Sequence, residues 1–251
     1  MDSVKSADGT TIAVEKSGTG PALVVVVGAF CDRHSKKSLA AAVADRYTVF
    51  QYDRRGRGDR GPVGDVTVER EIEDFAAVVA QTGEKPFVFG DSSGGAIAIA
   101  AAAAGVEVRK IATYEVPFTQ GPSFEFADQL AALVDSGDRG EAVERFLKLV
   151  GTPSEAIDGM KQGPNWPYME SYAATLPIDV RLCNDGRIPH AQLAKVSVPL
   201  LAIAGDRGPW AVNVANAIAT AAPKGASRIL AGYGHDVPDA VLSGVMSTFF
   251  D

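Results

Sequence analysis

The stretch that decides the fold is Phe87-Val88-Phe89-Gly90-Asp91-Ser92-Ser93-Gly94-Gly95. Its apolar start is typical of a buried strand, and the Ala-rich run from Ser93 to Ala104 is typical of a helix. Gly90, Ser92 and Gly94 place a G-x-S-x-G pattern at the junction. A serine on such a tight turn projects its hydroxyl above the sheet at a helix N-terminus, where small neighbours let the backbone pass close by. The pattern predicts that Ser92 is a nucleophile; the alternative is a helix cap without chemistry.

Strand and helix patterns alternate on both sides of this turn. Short apolar or β-branched runs predict strands at 10–16, 22–27, 47–52, 111–114, 199–204 and 228–230. Helical spacing predicts helices at 36–46, from 68, at 209–221 and from 238. This alternation indicates an α/β protein with a doubly wound, mostly parallel sheet and right-handed crossovers.

The interval 118–194 interrupts the alternation. It carries no strand pattern, but its apolar residues recur at helical spacing. A helical insertion between two strands of an α/β core must sit outside the sheet, and ligands bind beyond the carboxyl ends of parallel strands. We therefore expect residues 1–117 and 195–251 to form the core and residues 118–194 to form a helical cap over the site.

A serine hydroxyl is a weak nucleophile unless a base takes its proton. The chain has three histidines, His34, His190 and His235. His235 follows the last predicted strand and precedes the last helix, so it should reach the same sheet edge as Ser92. We predict that His235 is the general base; the alternative is a surface histidine that caps a helix.

The imidazole also needs a carboxylate that fixes its tautomer and stabilises the imidazolium. Asp206 stands just past the strand at 199–204 and is the favoured acid, which gives the chain order Ser, Asp, His. Glu115, at the end of the strand at 111–114, is the rival.

The turn at 90–94, Asp206, the Gly-His-Asp run at 234–236 and the DRRGRG run at 53–58 together resemble the α/β-hydrolase fold superfamily. The resemblance implies an oxyanion hole that combines the backbone N–H of Ser93 with one from the loop after the third strand. Many members carry His-Gly in that loop, whereas this chain reads Val27-Gly28-Ala29-Phe30-Cys31. The second donor is left open between Ala29 and Phe30.

The residues predicted to line the substrate pocket are Cys31, Glu115, Trp166, Tyr168 and Met169. Cys31 follows the oxyanion loop, with a small buried thiol as the alternative. The three from the insertion lie on a segment rich in Gly and Pro that looks too irregular for an ordinary core helix; the alternative for Trp166 is the core of the cap. An apolar pocket of this kind predicts a preference for hydrophobic over charged substrates.

Composition limits the class of partner. The 251 residues are 46% apolar and 22% charged, which is typical of a soluble globular protein. The net charge of −7 disfavours nucleic acid and anionic membranes as partners. The basic cluster of Arg54, Arg55, Arg57 and Arg60 also holds Asp53 and Asp59, and we expect it to be a solvated turn.

The leading interpretation is a cofactor-independent serine hydrolase that cleaves a hydrophobic ester, lactone or thioester through an acyl-enzyme. Two cysteines, no secretory signal and no metal or nucleotide motif predict a cytoplasmic protein without metal or cofactor. The expected partners are a small hydrophobic substrate and, as one permitted assembly, a second copy in a homodimer. The alternatives are a lyase or cofactor-free haloperoxidase with the same fold, and a non-catalytic receptor or scaffold.

Overall fold

The computed structural model describes residues 2–58, 66–118 and 124–251. Its strands are β1 (Asp2–Lys5), β2 (Thr11–Gly18), β3 (Ala22–Val26), β4 (Thr48–Tyr52), β5 (Phe87–Asp91), β6 (Lys110–Tyr114), β7 (Leu200–Gly205) and β8 (Gly225–Leu230). Its helices are α1 (Lys37–Val43), α2 (Val68–Gln81), α3 (Ser93–Ala103), α4 (Phe124–Asp135), α5 (Arg139–Leu149), α6 (Ser154–Lys161), α7 (Trp166–Ser171), α8 (Leu176–Leu182), α9 (His190–Leu193), α10 (Pro209–Ala221) and α11 (Asp239–Phe250). Two short 3-10 helices cover Ala173–Thr175 and Asn184–Gly186.

The eight strands form one sheet in the order β1-β2-β4-β3-β5-β6-β7-β8. Strands β3 to β8 run parallel to one another, while β2 lies antiparallel to both β1 and β4. The predicted α/β class and mostly parallel sheet are thus confirmed. The short, exposed strand β1 was not expected, because only its pairing with β2 distinguishes it from a loop.

Strand β3 shows how the sheet is held between two helical layers. Its five residues are all buried, as expected for a strand covered on both faces. Val24 belongs to an apolar cluster that includes Ile97 of α3, and its neighbour Val25 belongs to a second cluster that includes Leu39 of α1 and Leu242 of α11. Successive side chains therefore anchor opposite helical layers, which makes the sheet edge above β3 and β5 a rigid platform.

The insertion between β6 and β7 is helical throughout its described part, with α4 to α9 and both 3-10 helices. It has an apolar core of its own, which includes Leu130, Val143, Phe146, Trp166 and Leu176. Two residues of the loop after β3, Ala29 and Phe30, pack against this core. The division into a core and a cap stays a prediction. No helix in the described ranges is long and apolar enough to cross a bilayer.

The expectation of a solvated basic turn after β4 is wrong. Arg54, Arg55 and Arg57 are each at most 2% exposed, and each is paired with buried carboxylates. Burial of three guanidinium groups is tolerated only because acidic partners arrive from distant parts of the chain. Asp59 and Arg60 of the same cluster lie outside the described residues.

Candidate active site

Ser92 occupies the turn between β5 and α3. Its φ of 54° and ψ of −126° lie outside the helical and strand regions, and its N–H donates to the carbonyl of Tyr114 at 2.8 Å. A Cβ at Gly90 would stand 2.5 Å from the Cα of Gly95, and one at Gly94 would collide with the carbonyl of Val26. The turn therefore requires its glycines, and the predicted strand-turn-helix setting of Ser92 is present.

Three residues at this sheet edge adopt a left-handed backbone without being glycine. They are Phe30 after β3 (φ 57°), Ser92 after β5 (φ 54°) and Glu115 after β6 (φ 44°). Such conformations cost about 1–3 kcal/mol each and persist where the surrounding structure imposes them, often at functional sites. The clustering of strain here marks this edge as the candidate site.

His235 lies in the loop after β8 and is held by Glu115. Its Nδ1 is 2.8 Å from Oε2 of Glu115, and Oε1 of the same carboxylate accepts a hydrogen bond from the N–H of Gly205 at 3.1 Å. The carboxylate is buried, whereas the imidazole is 58% exposed. The hydrogen bond to Glu115 raises the pKa of His235 above its ordinary value, against the opposing effect of partial burial, and the charge of Asp91 adds to the increase.

The preference for Asp206 as the partner of His235 is not supported by this geometry. Asp206 is exposed, and its Oδ1 accepts from the N–H of Gly232 at 2.8 Å. It braces the beginning of the loop that carries His235 and gives the imidazole no hydrogen bond. Glu115, which the sequence offered as the rival acid and also as a pocket residue, takes this position.

Tyr114, which no motif in the sequence indicated, contacts both the Ser92 turn and the His235 loop. Its carbonyl accepts the N–H of Ser92, and its hydroxyl donates to the carbonyl of Gly234, next to His235. The ring also stacks on the imidazole, with 6.3 Å between centroids. Tyr114 thus holds the Ser92 turn and the His235 loop from one strand end.

The loop after β3 passes directly beside the turn that carries Ser92. A Cβ at Gly28 would lie 2.8 Å from Cβ and 3.3 Å from Oγ of Ser92. Among the described residues, none accepts a hydrogen bond from the N–H of Ala29 or Phe30. Both predicted loop donors are therefore unengaged, as an oxyanion hole requires.

Cys31 continues that loop and lies close to charged groups of the site. Burial, followed by the charge of Asp91, raises the pKa of its thiol, which disfavours the thiolate. Lys36 places its ammonium 3.2 Å from Asp91 and 3.7 Å from Asp239. In the described ranges, His, Cys, Asp and Glu side chains form no group of three or more that could hold a metal ion.

The three pocket residues predicted from the insertion have different surroundings. Trp166 is 9% exposed in the core of the insertion, and its indole N–H donates to Glu170 at 3.0 Å, which matches the alternative given for it. Met169 is partly buried against the same core. Tyr168 is 47% exposed and lies 2.9 Å from the hydroxyl of Tyr172. The hydroxyl of Tyr168 lies 3.5 Å from Asp32 in the loop after β3.

Comparison with known proteins assigns the fold to a family. The model of the alpha/beta hydrolase family matches residues 23–242. An alpha/beta hydrolase from Sphaerobacter thermophilus DSM 20745 is 38% identical, with a TM-score of 0.90 over 100% of both chains. An esterase from Rhodococcus sp. ECU1013 is 20% identical, with a TM-score of 0.72 over 99% of this chain and 97% of that one, a likeness of fold.

A curated relative matches over a shorter stretch. The uncharacterized hydrolase YraK of Bacillus subtilis (strain 168) is 33% identical over 95 residues, which span 36% of this chain and 35% of that protein. The family model, by contrast, covers most of the chain, including β5, β6, β7 and β8 and the turn that carries Ser92. The chain belongs to the alpha/beta hydrolase family.

Proposed function

We propose that this protein is a serine hydrolase that cleaves hydrophobic carboxylic esters, or the equivalent lactones and thioesters, through an acyl-enzyme. The observation that carries the proposal is the 2.8 Å contact between Glu115 and His235 beside the strained turn of Ser92. A buried carboxylate on Nδ1 keeps the proton on that nitrogen, which leaves Nε2 free to act as a base.

In the proposed reaction, Nε2 of His235 removes the proton from Oγ of Ser92 as Oγ attacks the carbonyl carbon of the substrate. The resulting oxyanion receives hydrogen bonds from the N–H of Ser93 and from Ala29 or Phe30. His235 then gives its proton to the leaving alcohol, and the acyl group stays on Ser92. A water molecule, deprotonated by the same imidazole, attacks the acyl-enzyme and restores the free serine.

The surroundings of the oxyanion loop favour an apolar acyl group. Phe30 packs edge-on against Phe146 of the insertion with 5.5 Å between centroids, and Ala29 packs on the same apolar core. Apolar walls select by shape and buried area, since each well-fitting methylene contributes up to about 0.8 kcal/mol. We therefore expect turnover to rise with acyl length until the space is filled.

The test combines active-site labelling with turnover. A fluorophosphonate should label the wild-type protein once, and mass spectrometry should place the adduct on Ser92. Ser92→Ala should lose the label and lower the turnover of short p-nitrophenyl esters by roughly 10⁴-fold. The matched control is Ser227→Ala on exposed β8, which should keep both.

Two results would contradict the proposal. An adduct on another residue, or turnover retained in Ser92→Ala, would remove Ser92 as the nucleophile. An adduct on Ser92 without hydrolysis of any ester, lactone or thioester in an acyl-length series would favour a non-hydrolytic enzyme or a receptor of the same fold.

A further inference from the structure

Behind the nucleophile turn lies a cluster of four charged side chains that the proposed chemistry does not use. Arg54 and Arg57 come from the loop after β4, Glu71 from α2 and Asp179 from α8 of the insertion, and each is at most 2% exposed. Arg54 pairs with Glu71 at 2.8 Å and with Oδ1 of Asp179 at 2.9 Å. Arg57 pairs with Oδ2 of Asp179 at 2.7 Å. Asp179 therefore serves both arginines, and the cluster is electrically balanced.

The cluster also forms hydrogen bonds to the two segments that carry the predicted oxyanion donors. Arg54 donates to the carbonyl of Val27 at 3.2 Å, and Arg57 donates to the carbonyl of Gly28. On the other side, the hydroxyl of Ser93 donates to Asp179 at 2.6 Å. One carboxylate from the insertion is thus linked to the loop after β3 and to the residue that follows the nucleophile.

Peptide geometry gives these contacts a consequence for the donors. The carbonyl of Gly28 and the N–H of Ala29 belong to the same planar, trans peptide unit, so they point in opposite directions. Fixing the carbonyl on Arg57 therefore fixes the direction of the Ala29 N–H. A Cβ added at Gly28 would stand 2.8 Å from Cβ of Ser92, so this peptide unit lies beside the proposed nucleophile.

We propose that Asp179 is a positioning residue: through Arg54, Arg57 and Ser93, it sets the orientation of the oxyanion donors on both sides of Ser92. The inference rests on the proposed hydrolase function and adds to it a requirement for the insertion. In this arrangement helix α8 is a fixed part of the active-site wall, because its carboxylate has to stay in place during turnover.

Electrostatics agree with this role. Burial alone would raise the pKa of Asp179, but Arg57 and Arg54 outweigh it and lower that pKa, which keeps the carboxylate charged. Replacing it by an amide would leave the buried Arg57 without its hydrogen-bonded carboxylate, because the hydrogen bonds of Glu71 run to Arg54. The guanidinium of Arg57 would then shift, and its hydrogen bond to the Gly28 carbonyl would be lost.

The experiment compares Asp179→Asn with a matched buried pair elsewhere. Arg55 and Asp74 are also buried and pair at 2.6 Å, but the remaining hydrogen bonds of Arg55 run to Ser6, Asp8 and Thr10. Each variant is assayed with a p-nitrophenyl ester and a fluorophosphonate, well below its own melting temperature. Asp179→Asn should lower kcat by about 10- to 100-fold with KM within about threefold, and phosphonate inactivation should slow in parallel. Asp74→Asn should melt earlier yet keep kcat within about twofold.

A second readout separates positioning from general damage. The acid limb of the kcat profile should stay where it is in Asp179→Asn, because Glu115 and His235 are untouched. If Asp179→Asn does not fold, Ser93→Ala is the second test. It removes the hydroxyl that donates to Asp179 and accepts from Arg54 but leaves the charges in place, and it should still lower kcat by about three- to tenfold.

The inference would be overturned if Asp179→Asn folds and its kcat is unchanged. If Asp179→Asn does not fold, an unchanged kcat in Ser93→Ala would overturn it. An equal loss of kcat in Asp74→Asn would also do so. A wild-type protein without ester turnover or labelling would overturn the proposed function first, and this inference with it.

Discussion

The sharpest prediction concerns which carboxylate serves the histidine, and Glu115→Gln tests it. In the structure the two oxygens of Glu115 have different partners, His235 Nδ1 at 2.8 Å and the N–H of Gly205 at 3.1 Å. The amide of a glutamine has only one oxygen. Because the N–H of Gly205 can only donate, that oxygen stays on Gly205, and the amide NH₂ then faces Nδ1.

The orientation of this amide determines how far kcat should fall in Glu115→Gln. An NH₂ group facing Nδ1 makes that nitrogen an acceptor, so the imidazole proton moves to Nε2, the nitrogen that has to receive the proton of Ser92. Loss of the correct tautomer should reduce kcat on the order of 10⁴-fold while the fold is kept. Asp206→Asn, by contrast, retains an oxygen for the N–H of Gly232 on an exposed side chain, and we expect kcat within about twofold of wild type.

The assay is ester turnover over pH for both variants. The base works as neutral imidazole, so activity falls as pH drops through the pKa of His235. Glu115 raises that pKa, and its removal should move the acid limb of the residual Glu115→Gln activity to lower pH. If Asp206→Asn loses activity while Glu115→Gln stays close to wild type, the reasoning from hydrogen-bond geometry is refuted.

Two further predictions follow from contacts at the site and in the insertion. Gly28→Ala should lower kcat/KM by roughly 10- to 100-fold with little change in melting temperature. The new alanine Cβ would stand 2.8 Å from Cβ of Ser92 and displace the loop. Wild-type kinetics would contradict this. Trp166→Ala should destabilise the protein by about 3–5 kcal/mol in denaturant titrations. The order of preference across an acyl-length series should stay unchanged. A changed order without loss of stability would indicate that Trp166 lines the substrate pocket.

The turn that carries Ser92 was predictable because its sequence pattern is local. The glycines at 90 and 94 are needed where the backbone of β5, α3 and β3 approaches within contact distance, so residue type and position follow directly from geometry. The alternation of strands and helices is likewise local, and it predicted the parallel part of the sheet. The antiparallel strand β1 could not be found in this way because it consists of four mostly exposed residues.

The identity of the acid could not be settled from the sequence. Strands β6 and β7 are neighbours in the sheet, so Glu115 and Asp206 both leave the same edge one strand apart. What separates them is backbone direction: Glu115 adopts a φ of 44°, while Asp206 donates its N–H to Leu230 and turns its side chain to Gly232. A positive φ at a glutamate has no sequence signature, because the strain is imposed by surrounding tertiary contacts.

The burial of the arginine turn could not be predicted for the same reason, because it depends on tertiary contacts. Charged residues are rarely buried without partners, so a run of arginines reads as a solvated surface. Here the partners of Arg54 come from α2 and from α8, at separations of 17 and 125 residues, and only the folded chain brings them together. Pairing at such distances leaves no periodicity or motif to read.

The positions of Glu115 and of the buried arginines indicate that the candidate site has two separate structural supports, the sheet and the insertion. Ser92 and Glu115 directly follow β5 and β6, and His235, in the loop after β8, is held by the Glu115 carboxylate. The loop after β3 has a different support: its side chains pack on the apolar core of the insertion, and its carbonyls bind arginines that Asp179 neutralises. Under the proposed mechanism, substitutions in the insertion should therefore act on oxyanion stabilisation and acyl selectivity, and leave the acid–base properties of His235 unchanged. We therefore expect the acid limb of the pH profile to depend on the residues carried by the sheet, and kcat at the plateau to depend on both the sheet and the insertion.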